Sequence, residues 1–401
     1  MKMNRQTISL NKDVSASSSL GGFLTLAVIM FAAVSPLMLM TAPAVAAQLG
    51  NQLHLHPERI GLFFTVELGA MSLATLPSYL WLPRVSQRVA AIIAIILFVI
   101  SNAIAATIPS YNILLVLQFI AGLAGGTLMI LCLTTAGRAA NQDRVFGLWV
   151  IGQLILGAIG LWVLPILFKF FNLSALFISL SVLLILIAPL ALAFPATPVQ
   201  RRKQYIESDS ANIVKPVMGL IGVLAFYLSL GGVWTFMSAL GVKSGLEADV
   251  AGRVLSIASL FGIVGAGVAA IVGGHGKRLS FLIIGYGLML FSIALMFGTP
   301  AFLRFSISAC IFKFSWTFVL PFILAVIGSI DPSGRAIATV NLIIGGGLAI
   351  GPIIAGWLLQ QSGGFHLPLI AEILAAFVSL LLLLPAALHG LGRVPRLLKV
   401  S

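Results

Sequence analysis

Charge is what this 401-residue chain lacks most. Charged residues make up only 8% of it and hydrophobic residues 60%, whereas roughly a quarter of an ordinary soluble domain is charged. A water-soluble core has no use for that much apolar surface. Acidic side chains are scarcest, 10 against 23 Lys and Arg. The resulting net charge of +13 would suit a nucleic-acid partner only if the basic residues shared one water-exposed face; they sit instead at the boundaries of apolar stretches and so report topology. Cysteine is nearly absent. Cys132 and Cys310 both fall inside apolar stretches, which argues against a disulfide framework and makes them small buried hydrophobes. The five histidines, His54, His56, His275, His366 and His389, lie in or near connections without a cysteine or carboxylate cluster at metal-ligand spacing, so neither metal nor cofactor is expected. Gly345 to Gly347 lacks the lysine and hydroxyl residue that follow in a nucleotide-binding loop, so the sequence gives no sign of ATP hydrolysis and none of an enzyme.

Long apolar runs are what the chain has. Twelve stretches of bilayer-spanning length lie near 21–47, 59–81, 89–107, 111–137, 145–168, 173–194, 216–240, 250–272, 279–298, 301–329, 336–360 and 366–388. A hydrocarbon core roughly 30 Å thick needs about 20 helical residues per crossing, so the expected fold is an all-α membrane protein with 12 transmembrane helices. With the N-terminus inside, Lys and Arg crowd the segments around 2–12, 84–88, 138–144, 201–203, 277–278 and 393–399. Only Arg59, Lys169, Lys243 and Arg253 remain outside. That asymmetry is the positive-inside pattern of a multi-pass protein of the bacterial inner membrane with both termini cytoplasmic. The small residues at 41–48 resemble a signal-peptide cleavage site, but the apolar stretch before them is longer than a signal core and eleven more spans follow, so retention is expected.

The longest polar interruption, 195–215, divides the spans into two sets of six. Shifting the chain by 191 residues lays Glu58 on Asp249, Gly61 on Gly252, Arg144 on Arg335 and Gly160 on Gly351, which reads as an internal repeat. The expected organisation is a cytoplasmic tail (1–19), a six-helix bundle (20–194), a cytoplasmic linker (195–215), a second, pseudo-symmetric six-helix bundle (216–389) and a tail (390–401). Small residues in 152–160 and 343–352 permit close helix approach, either as sliding seams or as static packing.

Basic turns join the second to third and eighth to ninth spans, LPRVSQR at 82–88 and GGHGKR at 273–278. With two sets of six spans and a polar linker, the chain resembles the major facilitator superfamily over residues 20–390. It departs from the family pattern at two places: the first turn lacks the aspartate after a glycine, and Gln118 stands where many members carry an arginine. GGVWTFMSALG at 231–241 and DPSGR at 331–335 are similar to a bacterial branch of that superfamily. The resemblance implies a secondary transporter whose first, fourth, seventh and tenth helices line a central cavity.

Ionisable residues inside spans are the sharpest functional candidates, because even insertion scales assign roughly 2.5–3.5 kcal/mol to a central Asp, Lys or Arg. Glu67 is the proton-coupling candidate; the bland reading is a structural carboxylate bonded to another helix. Lys313 sits near the middle of its span with Trp316 at i+3 on the same face. A lysine beside an aromatic wall suits an organic anion, while the competing reading is a buried ion pair, Glu67 being one possible partner. Trp234, Tyr227, Gln118 and Asn341 are candidates for further aromatic and hydrogen-bonding walls. Arg304 and Glu372, both near outer span ends, are expected to pair with each other. The expectation is a transporter of a small amphipathic, possibly anionic, organic molecule, with protons and the lipid bilayer as its other partners, no nucleic acid, and a monomeric state. The alternatives are a membrane sensor or scaffold that kept the fold, and a permease driven by a separate ATPase.

Overall fold

The computed structural model describes residues 21–139, 141–198, 214–273, 278–330 and 335–391. The expected N-terminal tail, the core of the linker, most of the C-terminal tail and most of the 273–278 and 331–335 turns lie outside the described residues.

Every described element is helical. The first crossing is broken into α1 (Gly22–Val34), α2 (Leu37–Met40) and α3 (Ala42–Leu53). The second is α4 (Pro57–Leu73) continued by α5 (Thr75–Trp81), followed by α6 (Gln87–Ala105), α7 (Tyr111–Ala136), α8 (Gln142–Phe171) and α9 (Ser174–Ile187) with a 3-10 turn (Ala188–Ala193). Beyond the linker run α10 (Val214–Lys243), α11 (Ala248–Val272), α12 (Arg278–Ala294), α13 (Phe302–Ile330), α14 (Arg335–Ser362) and α15 (His366–Leu391). Among the described residues, ten stretches are long and apolar enough to cross a membrane, and Gly22–Val34 and Arg278–Ala294 are shorter apolar helices. Large aliphatic and aromatic side chains such as Ile93, Phe170, Leu186 and Ile271 are exposed around the outside, as the hydrocarbon of a bilayer requires.

The breaks in the first crossing have a local cause. Pro36 and Pro43 have no N–H, so the carbonyls four residues earlier, on Ala32 and Leu39, lose their helical donor. Nearby hydroxyls shore up the same region: Ser35 Oγ donates to the Phe31 carbonyl at 2.7 Å and Thr41 Oγ1 to the Leu37 carbonyl at 2.8 Å.

Helices from residues before the linker meet those after it along two seams. In the first, α4 runs against α14: Gly61 has no room for a Cβ beside the Pro352 backbone, and Thr65 Oγ1 donates to the Ala349 carbonyl at 2.6 Å. In the second, α11 runs against α8: Gly252 lies against the Leu161 carbonyl, and Ser256 Oγ donates to the Ala158 carbonyl at 2.7 Å. These are the same contacts displaced by 191 residues. Gly61 becomes Gly252, Thr65 becomes Ser256, and their partners Pro352 and Ala349 become Leu161 and Ala158. The sequence repeat is therefore realised as paired glycine-and-hydroxyl crossings.

Call the end carrying residues 54–56 and 363–365 the distal end, and the opposite one, with residues 21 and 391, the terminal end. The glycine crossings of both seams and the contact of α3 with α10 lie toward the distal end, where Lys169 and Asp249 also pair at 3.6 Å, and the first seam continues as far as Ser72, whose Oγ donates to the Leu342 carbonyl at 3.2 Å. Toward the terminal end, α1 packs mainly on α7, α8 and α9, and α5 on α7, all within the first 194 residues. Leu76 and Leu80 of α5 are half or more exposed. The two parts of the chain are thus closed together distally and part toward the terminal end.

Gly61→Val tests the first seam. It is expected to cut disulfide formation between cysteines placed at 65 and 349 by more than half, while Gly287→Val, at a glycine with open space around it, leaves that yield unchanged.

Candidate functional site

Three expected substrate residues converge on one ammonium. Lys313, near the middle of α13, is 1% exposed, and its Nζ lies 4.0 Å from the ring centre of Trp234 and 4.2 Å from that of Trp316. Phe312, which the sequence reading did not single out, completes the cage. It stacks on Trp234 with planes 6° apart and meets Trp316 edge-on at 6.3 Å. Its signal was the i, i+4 spacing to Trp316, which puts both rings on one helix face. A desolvated cation over an aromatic ring contributes roughly 2 kcal/mol. Among the described residues no carboxylate lies within ion-pair distance of Lys313; the ion pairs found are Lys169 and Arg253 with Asp249. The pair with Glu67 is not formed.

Trp234 does a second job. Its Nε1–H donates to the Leu39 carbonyl at 2.9 Å, across the divide between the two parts of the chain. Leu39 is the carbonyl that Pro43 leaves without a helical donor. Gln153 of α8 does the same one break earlier, donating from Nε2 to the Ala32 carbonyl that Pro36 leaves free, at 2.9 Å. The ring that carries the Lys313 cation therefore also closes the broken first crossing against α10. Leu-x-x-x-Pro at 39–43 is the sequence signal that identifies the acceptor; nothing in sequence identifies its donor.

Glu67 and Gln118 are both buried where α4 runs alongside α7, away from that cage. Gly122 has no room for a Cβ against the Glu67 main-chain carbonyl, and Gln118 sits one turn before Gly122. Glu67 is 3% and Gln118 1% exposed, and neither Glu67 Oε2 nor Gln118 Nε2 has a hydrogen-bond partner. Ser229 and Thr235 of α10 also bury unpartnered hydroxyls. Buried polar atoms are paired in the great majority of cases, so each of these atoms is an exception. The 191-residue repeat places Lys313 where Gly122 stands and Ala258 where Glu67 stands. Glu67 and Lys313 thus lie at comparable depth on different helices of the repeat, one in each part of the chain.

Other expectations fare differently. Tyr227 is buried, but its ring meets Phe226 edge-on at 5.4 Å and its Cβ blocks the space beside Gly347, a packing position between α10 and α14. Asn341 is exposed near the terminal end of α14. The Arg304–Glu372 pair is absent. Arg304 Nη2 donates to the Phe297 carbonyl at 3.0 Å near the distal surface, while Glu372 is 1% exposed with both carboxylate oxygens unpartnered. Hydropathy placed both residues at similar depth but carried no information on which way each helix face turns.

A double-mutant cycle checks the Trp234–Leu39 bond. Trp234→Phe is expected to destabilise the protein by about 1–3 kcal/mol, because it strands a buried carbonyl. In a Pro43→Ala background, where residue 43 regains an N–H for that carbonyl, the same change should cost distinctly less, read by denaturant unfolding in micelles.

The comparisons agree with this architecture. The solved structures similar to this chain include the nucleoside transporter NupG, at TM-score 0.70 and 14% identity over 92% of this chain and 98% of that one. A mutant of the same transporter gives 0.72 and 15%, over 90% and 98%. A bacterial homologue of the human lysosomal transporter Spinster, in an inward-facing and occupied conformation, gives 0.65 and 15%, over 92% and 96%. At these identities the likeness is one of fold. No curated protein matches the sequence. The sequence model of the Major Facilitator Superfamily matches residues 19–333, and the chain belongs to that family.

Proposed function

We propose that this protein is a secondary active transporter of a small amphipathic organic molecule with an anionic end, driven by protons. The observation that carries the reading is the Lys313 ammonium held between Trp234 and Trp316 with no carboxylate partner. An anion would supply the missing counter-charge in a low-dielectric site, where a charge–charge contact is far stronger than in water. The surrounding rings would cover the apolar part of the cargo.

Twelve crossings in two six-helix bundles, 20–194 and 216–389, rock about this midplane site in the reading we favour. The paired seams support it, since each bundle presents the other with the same glycine-and-hydroxyl crossing. With both termini and the 195–215 linker in the cytoplasm of a bacterial cell, the terminal end faces inward, and the structure corresponds to an inward-facing state. The Spinster homologue is described in a conformation of that name. A monomer suffices, because both bundles lie in one chain.

Glu67 is the proposed proton-coupling carboxyl. Its unpartnered oxygen and its burial beside Gln118 support a group that exchanges a proton rather than one locked in a structural bond. Gln118, with its free amide, is the nearest candidate to orient it.

Reconstituted vesicles containing a pH-sensitive dye, challenged with pooled organic anions, test the assignment. Lys313→Gln is expected to lower anion-dependent flux at least tenfold, equivalent to about 1.4 kcal/mol of lost binding. Glu67→Gln should retain counterflow of cargo but lose proton movement. Proton flux unchanged in Glu67→Gln removes that residue from the coupling role, and anion flux unchanged in Lys313→Gln removes the anion site.

A further inference from the structure

Glu372 lies outside the site described above and has no place in it. Its carboxyl group sits six residues into α15, about 9 Å along the helix from His366 at 1.5 Å per residue. It presses directly on Gly232 of α10, where a Cβ would overlap Oε1. Gly232 and Trp234 are two residues apart and so point about 200° apart around the helix. Glu372 therefore touches the face of α10 turned away from the Lys313 cage.

The carboxyl lines a narrow crevice with Val233, Phe236, Met237, Met296 and Ala355, which continues past Leu240, Leu359 and Phe365 to the distal ends of α10, α14 and α15. The space beside it holds roughly one water molecule. That is too small for an organic cation. A lone carboxylate among apolar side chains also lacks the oxygen set a hard metal ion requires, and no cluster of three metal-ligating residues occurs among the described residues.

Among the described residues no donor reaches the ionised form. On the helices packed against α15, Lys243 Nζ donates to the Gly363 carbonyl at 3.0 Å, Arg304 is bonded to the Phe297 carbonyl, and Lys313 lies between its two indoles. Arg278 begins α12 at the terminal end, and the Tyr286 hydroxyl is bonded to Ser379 Oγ at 2.6 Å. Tyr227 packs on Phe226, Cys310 is half-buried on α13, and the His366 ring meets Phe297 edge-on. Neither Glu372 oxygen bonds to any of these groups. What the site accepts is the smallest cation, delivered by one water.

We propose that Glu372 is a proton-binding site that exchanges with water at the distal end of the molecule, separate from both Glu67 and the Lys313 cage. It rests on the membrane-spanning part of the functional reading and on nothing about the cargo. Binding a proton there removes a charge from the face of α10 opposite Trp234, so a distal proton acts on the same helix that closes the first crossing.

Infrared difference spectroscopy on oriented proteoliposomes without substrate tests this, with the two baths set to different pH. One carbonyl-stretch band of a protonated carboxylic acid is expected that persists from wild type to Glu67→Gln at neutral pH, is missing in Glu372→Gln, and fades as only the distal bath is made alkaline. Gly232→Ala displaces the carboxyl and should shift the band, which keeps the test available if Glu372→Gln fails to fold. A spectrum unchanged by Glu372→Gln or by Gly232→Ala, or a band that ignores the distal bath, overturns the proposal. A transporter with no proton coupling at Glu67 leaves these results untouched, so the two failures are distinguishable.

Discussion

A backbone carbonyl without a donor has nowhere to turn in hydrocarbon, and the architecture depends on how this chain meets that constraint. Pro36 and Pro43 break the first crossing and free the carbonyls of Ala32 and Leu39; Gln153 and Trp234 take them up from other helices. Where no side chain is supplied, a glycine lets backbone come close. Gly231 has no room for a Cβ beside the Leu348 carbonyl that Pro352 leaves free, and Gly252 none beside the Leu161 carbonyl that Pro165 leaves free. At Pro36 and Pro43 the freed carbonyl thus ties the broken helix to a particular neighbour. In Trp234 the demand links the two parts of the chain, and the linking ring is also a wall of the Lys313 cage. A structural requirement and a wall of the proposed cargo site share one side chain.

The remaining polar groups divide by whether they are satisfied. Hydroxyls along the seams are: Thr65, Ser72 and Ser256 all donate to main-chain carbonyls of facing helices. Glu67, Gln118, Ser229, Thr235 and Glu372 bury unpartnered atoms. Satisfied groups hold the crossings, and the unsatisfied ones, Asn102 Oδ1 of α6 among them, lie on α4, α6, α7, α10 and α15. Leaving such groups unpaired costs stability, and a transporter recovers that cost only when water, protons or cargo occupy the sites.

The sequence made the frame legible because apolar run length and basic connections act locally. It also made the repeat legible: the 191-residue offset aligned Gly61 with Gly252, and those two glycines make equivalent contacts in the structure. The convergence of Lys313 and Trp316 was readable from their i, i+3 spacing. Pairing across helices was not. Arg304 and Glu372 share a depth yet turn to different surroundings, and Asn341 falls on an exposed face, because hydropathy fixes how deep a residue lies and not its angle about the helix. Phe312 and the Leu39 carbonyl carried signals only in retrospect, one through spacing to Trp316 and the other through Pro43. The partner of each depended on packing between helices far apart in sequence.

If the Trp234–Leu39 bond closes the distal end beside the cargo site, removing it must move both ends of the molecule in opposite senses. Spin labels at Asn51 and Val242 report the distal gap, and labels at Leu80 and Asn341 the terminal one; all four residues are exposed. In wild type the distal distance should be single and short. In Trp234→Phe a longer distal population should appear together with a shorter terminal one. Distances at both ends unchanged by the substitution, or lengthening together, would contradict the account.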